Sequence, residues 1–131
     1  MSRYFYLSTR LDREREIEPL LQKLTTKGWK RTYVWSAGAI AEEERPAIAS
    51  AEIEGIRKAD VVIIMLPGGR GTHAELGAAL AFGKPVVLHS PSRKELKLPY
   101  PCVFHYHPSV RLFVSKKVDV DAILRSVTQD H

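Results

Sequence analysis

The sequence is short of the features that mark several large classes of protein. It has one cysteine, Cys102, in 131 residues. A single thiol forms no internal disulfide and holds no zinc by itself, which excludes a disulfide scaffold. Long apolar runs are missing too. The longest, Val61 to Leu66, falls far below the roughly 20 residues that cross a bilayer. The opening Met1-Ser2-Arg3-Tyr4 has no apolar stretch of the secretory kind. These absences give the expectation of a cytoplasmic protein with no membrane partner. Repeats, low-complexity segments and linkers are absent as well, and the length suits one domain over residues 1–131. A content of 44% hydrophobic and 27% charged residues is that of an ordinary globular chain, not of a disordered, collagen-like or coiled-coil one. The charge is modest: 20 basic against 15 acidic residues, or +5. That excess favours anionic partners. The basic residues are spread along the chain rather than gathered into a stripe with aromatics between, which argues against a nucleic acid.

What is present is an alternation of strand and helix patterns. Tyr4 to Leu7 reads as a first strand. Asp12 to Lys27 reads as a helix, because Ile17, Leu20, Leu21 and Leu24 fall at i, i+3, i+4 and i+7, and Gly28 stops it. Trp29 to Trp35 is a second strand, and Glu42 to Ala59 a second helix with Pro46 in its first turn. The β-branched, wholly apolar run Val61 to Leu66 fits a central parallel strand covered on both faces. Thr72 to Phe82 is a third helix ended by Gly83, and Pro85 to His89 a fourth strand. Ser90 to Pro101 carries three prolines and reads as a loop, Val103 to Tyr106 as a fifth strand, and Asp119 to Val127 as a last helix. Such alternation predicts an α/β, flavodoxin/Rossmann-like three-layer sandwich around a five-stranded, mainly parallel sheet of order 2-1-3-4-5. Its ligand site is expected at the switch point, bordered by the loops after strands one and three.

Both loops hold residues suited to an anion. Ser8-Thr9-Arg10 leaves strand one with two hydroxyls and a guanidinium that can grip a phosphate bidentately. It reads equally as a helix cap followed by a surface arginine. Pro67-Gly68-Gly69-Arg70-Gly71-Thr72-His73-Ala74-Glu75 places three glycines just before a helix N-terminus, where free N–H groups and the helix dipole favour negative charge. Thr72-x-x-Glu75 also has capping-box spacing, so Glu75 is either a cap or a site residue. Gly69-x-Gly71-x-x-Ala74 imitates a dinucleotide fingerprint but follows strand three rather than strand one, and Glu95 near the acidic spacing lies in the Pro- and Lys-rich loop. On the second helix, Glu52 interrupts the apolar stripe of Ile48 and Ile56. A carboxylate there is either paired at a cleft edge or at the stripe margin in water. His73, His89, His105 and His107 show no metal spacing backed by other ligands, although His105 and His107 would share one side of a strand. No metal and no cofactor is expected from these patterns. Cys102 has no activating base nearby in sequence and reads as structural.

Taken together, Ala59-Asp60-Val61-Val62-Ile63-Ile64, the glycine-rich turn, and Glu75-Leu76-Gly77-Ala78-Ala79-Leu80-Ala81-Phe82-Gly83-Lys84-Pro85-Val86 resemble the nucleoside 2-deoxyribosyltransferase superfamily. Tyr4-Phe5 followed by Ser8-Thr9-Arg10 resembles one branch, the 2'-deoxynucleoside 5'-monophosphate N-glycosidases. The resemblance implies an enzyme that breaks or transfers the N-glycosidic bond of a nucleoside or nucleotide. It implies Glu75 as the nucleophile at C1' and Glu52 in place of an assisting aspartate, one methylene longer. It implies a phosphate held by Ser8 and Arg10 beside Thr9, Gly69, Arg70, Gly71 and Thr72, and a homodimer or higher oligomer. The departing base needs a proton, for which Glu52, His73 and water are the candidates. The additional loop aspartate of the transferases is missing, with Gly69 and Arg70 in that region. The Pro-Gly-Gly-x-Gly-Thr-x-x-Glu pattern of Pro67 to Glu75 also resembles the cytokinin-activating phosphoribohydrolases, which leaves ribose and deoxyribose both open. A different class, a nucleotide-binding module without turnover, would use the same pocket.

Overall fold

A computed structural model of the chain describes residues 3–35 and 39–129. Five strands form one sheet: β1 (Arg3–Ser8), β2 (Trp29–Arg31), β3 (Val61–Met65), β4 (Val86–Ser90) and β5 (Val110–Val114). Their order is β2-β1-β3-β4-β5, and every pairing is parallel. This is the arrangement expected from the sequence, with the switch point between β1 and β3.

Helices cover both faces. On one side α1 (Glu14–Thr26) and α5 (Val120–Gln129) pack Ile17, Leu20, Leu24, Ile123 and Val127 against Phe5, Leu7, Val61, Ile63 and Met65. On the other, α2 (Arg45–Lys58), α3 (Arg70–Ala81) and the short α4 (Arg93–Lys97) pack Ile56, Leu76, Ala79 and Leu96 against Tyr6, Val62, Ile64 and Leu88. Alternate residues of β1 and β3 thus serve opposite cores, as the two-residue period of a strand requires. That double coverage is why β3 is apolar at every position. Tyr6 and Ser8 share the α2/α3 side of β1, and this parity places the site.

Four sequence expectations change. The fifth strand is Val110–Val114, and Val103–Tyr106 forms a 3-10 turn. Val103, Phe104 and Tyr106 are exposed and only His105 is buried, so the segment has no half-buried face for a sheet to use. Pro101 and Pro108 flank it and supply no N–H to a ladder. His105 and His107 therefore do not share a strand face. The loop from Ser90 to Pro101 contains α4, capped by Ser92 Oγ accepting from the Glu95 N–H at 3.1 Å. The second strand stops at Arg31, and beyond it Tyr33 packs on the α2 side while Trp35 packs against the α1/α5 core. The third helix begins at Arg70, two residues early, with Gly69 as its N-cap.

The switch point is pinned by side chain to backbone bonds. Thr9 Oγ1 donates to the Met65 carbonyl at 2.7 Å, and the buried Arg13 guanidinium donates to the Leu66 carbonyl. Both tie the exit of β1 to the exit of β3, where the ladder has ended and those carbonyls would lack partners. Gly68 completes the joint. A Cβ there would lie 2.5 Å from the Thr72 side chain, which is buried, so this position admits no side chain.

Candidate active site

A cleft of about 230 Å³ opens at the switch point, lined by Thr9, Arg10, Trp35, Glu52, Gly69, Gly71, Thr72 and Glu75. It brings together the loop after β1, the glycine loop, the first turns of α3, and α2. Of the residues singled out in the sequence, Thr9, Arg10, Gly69, Gly71, Thr72, Glu52 and Glu75 line it. Ser8 lies beneath, against Glu75. Arg70 is exposed and does not line the cleft.

Glu75 is not a helix cap. The helix starts before Thr72, and its N-cap is Gly69, which has no side chain with which to cap. The Glu75 carboxylate instead turns toward β1. Tyr6 Oη donates to its Oε2, and Ser8 Oγ donates to its Oε1 at 3.1 Å. Each carboxylate oxygen therefore accepts one hydroxyl, which fixes the side chain while leaving lone pairs toward the cleft. The Ser8 hydroxyl proton is committed to Glu75, and that of Thr9 to Met65. The groups that present donors to an anion are then the Arg10 guanidinium and the unbonded amides of the first turn of α3. Arg10 is half-exposed and pairs with Asp12 at 3.0 Å, a contact that an anion in the cleft can replace at little cost.

Two residues of this arrangement escaped the sequence reading. Tyr6 sits two positions before Ser8 and so on the same face of β1, a signal available from strand parity alone. Its ring packs so closely on α2 that a Cβ on Gly55 would lie 3.1 Å from it. Trp35 gave no signal, because its place depends on where β2 ends. Its ring carries the Arg31 guanidinium 4.7 Å from its centroid. His73, the candidate proton donor, lies in a different cleft, with its ring toward His105.

The electrostatics follow from burial of two carboxylates near each other. Burial pushes the Glu75 carboxyl up to about 7, the charge of Glu52 adds to this, and the Tyr6 and Ser8 hydrogen bonds oppose it. Burial also raises Glu52, which makes no hydrogen bond to the described residues. The Tyr6 phenol is driven far above its usual range, first by burial and then by the Glu75 charge, so it remains a donor. Paired carboxyls held apart from their ordinary values can divide the roles of nucleophile and acid.

The folded state holds the Glu75 proton up to about pH 7, whereas an unfolded chain loses it near the ordinary glutamate value of 4.5. Folding stability from this group is therefore fully present below 4.5 and is lost as pH rises through 7. Glu75→Gln cannot ionise. Between pH 5 and 8 the variant should gain roughly 1–3 kcal/mol on the wild type, read from urea unfolding at each pH. A difference that stays constant across that range would show that Glu75 titrates normally.

The sequence pattern of the nucleoside 2-deoxyribosyltransferase family matches residues 5–121. No curated protein matches in sequence. Among solved structures, the chain is similar to a CMP N-glycosidase of Clostridium botulinum, with TM-score 0.68 and 22% identity over 98% of this chain and 100% of the other. It is similar to a 2-deoxyribosyltransferase of Bacillus psychrosaccharolyticus, with TM-score 0.65 and 20% identity over 92% and 89%. A conserved protein of Enterococcus faecalis aligns over the whole of both chains with TM-score 0.61 and 16% identity. At these identities the structures share the fold, and the match that spans most of the sequence gives the lineage: the chain belongs to the nucleoside 2-deoxyribosyltransferase family.

Proposed function

We propose that the protein is an N-glycosidase acting on nucleoside 5'-monophosphates, with Glu75 as the nucleophile. One observation carries this reading: a buried carboxylate, oriented by two hydroxyls, opens into a cleft whose rim is a glycine loop at a helix N-terminus with Arg10 beside it. The carboxylate suits the sugar carbon and the rim suits a phosphate.

In the first step a Glu75 oxygen bonds to C1' as the bond from C1' to the base nitrogen breaks, with the electron pair leaving on the base. The base nitrogen takes a proton from Glu52, whose carboxyl burial holds above the ordinary glutamate range. In the second step water bonds to C1', the ester bond breaks, and the Glu75 carboxylate is restored. The water proton passes to Glu52. Replacement of water by a second base would give transfer instead. The phosphate-binding rim and the missing loop aspartate of the transferases favour hydrolysis. The CMP substrate of the Clostridium botulinum relative is consistent with a 5'-monophosphate. We propose further that the active form is a homodimer or higher oligomer, with the neighbouring copy completing the cleft.

The test is base release from a panel of ribo- and deoxyribonucleoside 5'-monophosphates and their unphosphorylated nucleosides, followed by chromatography. Wild type should release base from the monophosphates, and Glu75→Gln should lose at least about a thousandfold in kcat, as expected for removal of a covalent nucleophile. Turnover by a folded Gln variant at the wild-type rate would remove Glu75 from the chemistry. Preference for the unphosphorylated nucleosides would remove the phosphate reading.

The pH profile gives a second check. The ionised form of Glu75 is the reactive one, so kcat/KM should rise through an acid limb near pH 7. Tyr6→Phe removes a bond that favours the ionised form, so its limb should move to higher pH, with the plateau lowered about tenfold. An unmoved limb would mean that Tyr6 only fills space.

A further inference from the structure

A second cleft, of about 440 Å³, lies behind the glycine loop, lined by Leu66, Gly68, His73, Glu95, Cys102 and His105 among others. Its polar groups come from three places distant in sequence: the first turn of α3, α4 with Glu95, and the 3-10 turn before β5 with Cys102 at its cap. His73 Nε2 and His105 Nε2 stand 2.9 Å apart. With Cys102 Sγ, one ligand atom from each of the three residues lies within 4.8 Å of the others. The sequence gave no hint of this, because the spacing from His73 to Cys102 and His105 follows no metal pattern and the sheet brings the segments together.

The chemistry of the group is that of a metal site. His73 Nδ1 lies 2.9 Å from the Gly69 carbonyl, an acceptor only, so Nδ1 carries the proton and Nε2 presents a bare lone pair. A backbone carbonyl holding the far nitrogen in this way is the usual outer support of a metal-ligating histidine. His105 is 5% exposed, and its Nε2 is aimed at the same point. Its Nδ1 has no partner among the described residues, so the one hydrogen bond of the ring is the contact with His73 Nε2. Without a cation, one proton serves two facing lone pairs. A cation would use both lone pairs and the thiolate.

We propose that His73, Cys102 and His105 form a binding site for a zinc-class divalent ion, with a fourth coordination position open to the cleft that Glu95 lines. Two imidazoles and one thiolate select zinc or a similar borderline ion over magnesium or calcium. Tetrahedral bonds of about 2.0 Å to nitrogen and 2.3 Å to sulfur put ligand atoms roughly 3.3–3.6 Å apart. The rings then part by a few tenths of an ångström, and the thiol closes by no more than about 1.2 Å, within the reach of a side-chain rotation. The ion would clamp the turn at Cys102–His105 onto α3. Through the Gly69 carbonyl it would also hold the loop that rims the Glu75 cleft. This site lies apart from Glu75 and does not depend on the reaction proposed for it.

The experiment uses chelator-stripped full-length protein titrated with Zn²⁺ by calorimetry and with Co²⁺ by visible absorption. Wild type should bind one equivalent, and its Co²⁺ form should show a thiolate charge-transfer band beside the intense bands of four-coordination. Cys102→Ser should abolish that band. Cys102→Ser and His73→Ala should each weaken Zn²⁺ binding at least about tenfold, the lower end of what loss of even an outer-shell partner costs. Both positions are partly exposed, and circular dichroism checks that each variant is folded. His107→Ala, outside the cluster, should bind as wild type does. Absence of stoichiometric binding overturns the proposal. So does unchanged affinity in either Cys102→Ser or His73→Ala, since the ion would then be held elsewhere or by fewer ligands.

Discussion

The site depends on one buried carboxylate held by two hydroxyls. Glu75 comes from the second turn of α3, and its partners Tyr6 and Ser8 come from β1. Burial makes the ionised form costly, and the hydroxyls recover part of that cost without neutralising the charge. The balance leaves the group near neutrality, where it can be an anion when a substrate arrives and is not locked in a salt bridge. An arginine in place of Tyr6 would hold the charge more tightly and leave it less reactive. A leucine would shift it further toward the protonated form.

Much of the surrounding fold follows from keeping that geometry. The parity of β1 sends Phe5 and Leu7 to one core and Tyr6 and Ser8 to the other. Gly55 lets α2 come down onto the Tyr6 ring, Gly68 gives room to Thr72, and Gly71 leaves the approach to Glu75 open. Thr9 and Arg13 fasten the ends of β1 and β3 to one another, so the two loops that border the cleft share one frame. A site built on strand ends and a helix start in this manner is held more firmly than one built on loops alone.

The order of the sheet and the place of the cleft were legible in the sequence because both rest on periodicity. An apolar β3, an amphipathic α1 and glycines before α3 have few alternative meanings. Glu52 and Glu75 could be singled out for a similar reason: a carboxylate in an apolar or glycine-rich setting conflicts with its surroundings. What stayed hidden was decided by tertiary contacts. Val103–Tyr106 has strand-forming residues, but its outward side chains and flanking prolines put it in a turn. Thr72-x-x-Glu75 has the spacing of a cap, but the helix begins two residues earlier and frees the carboxylate for β1. His73, Cys102 and His105 meet only because α3 and the turn before β5 lie side by side, which no local pattern records.

The central claim is that Glu75 forms a bond to the sugar. It is tested most directly by incubating the protein with a nucleoside 5'-monophosphate that carries fluorine at the 2'-position of the sugar, which slows loss of the sugar from the enzyme, and mapping the product by peptide mass spectrometry. The account predicts a stoichiometric sugar-phosphate adduct on the peptide containing Glu75, with the base released in equal amount. Base release with no adduct, or an adduct on another residue, would contradict it.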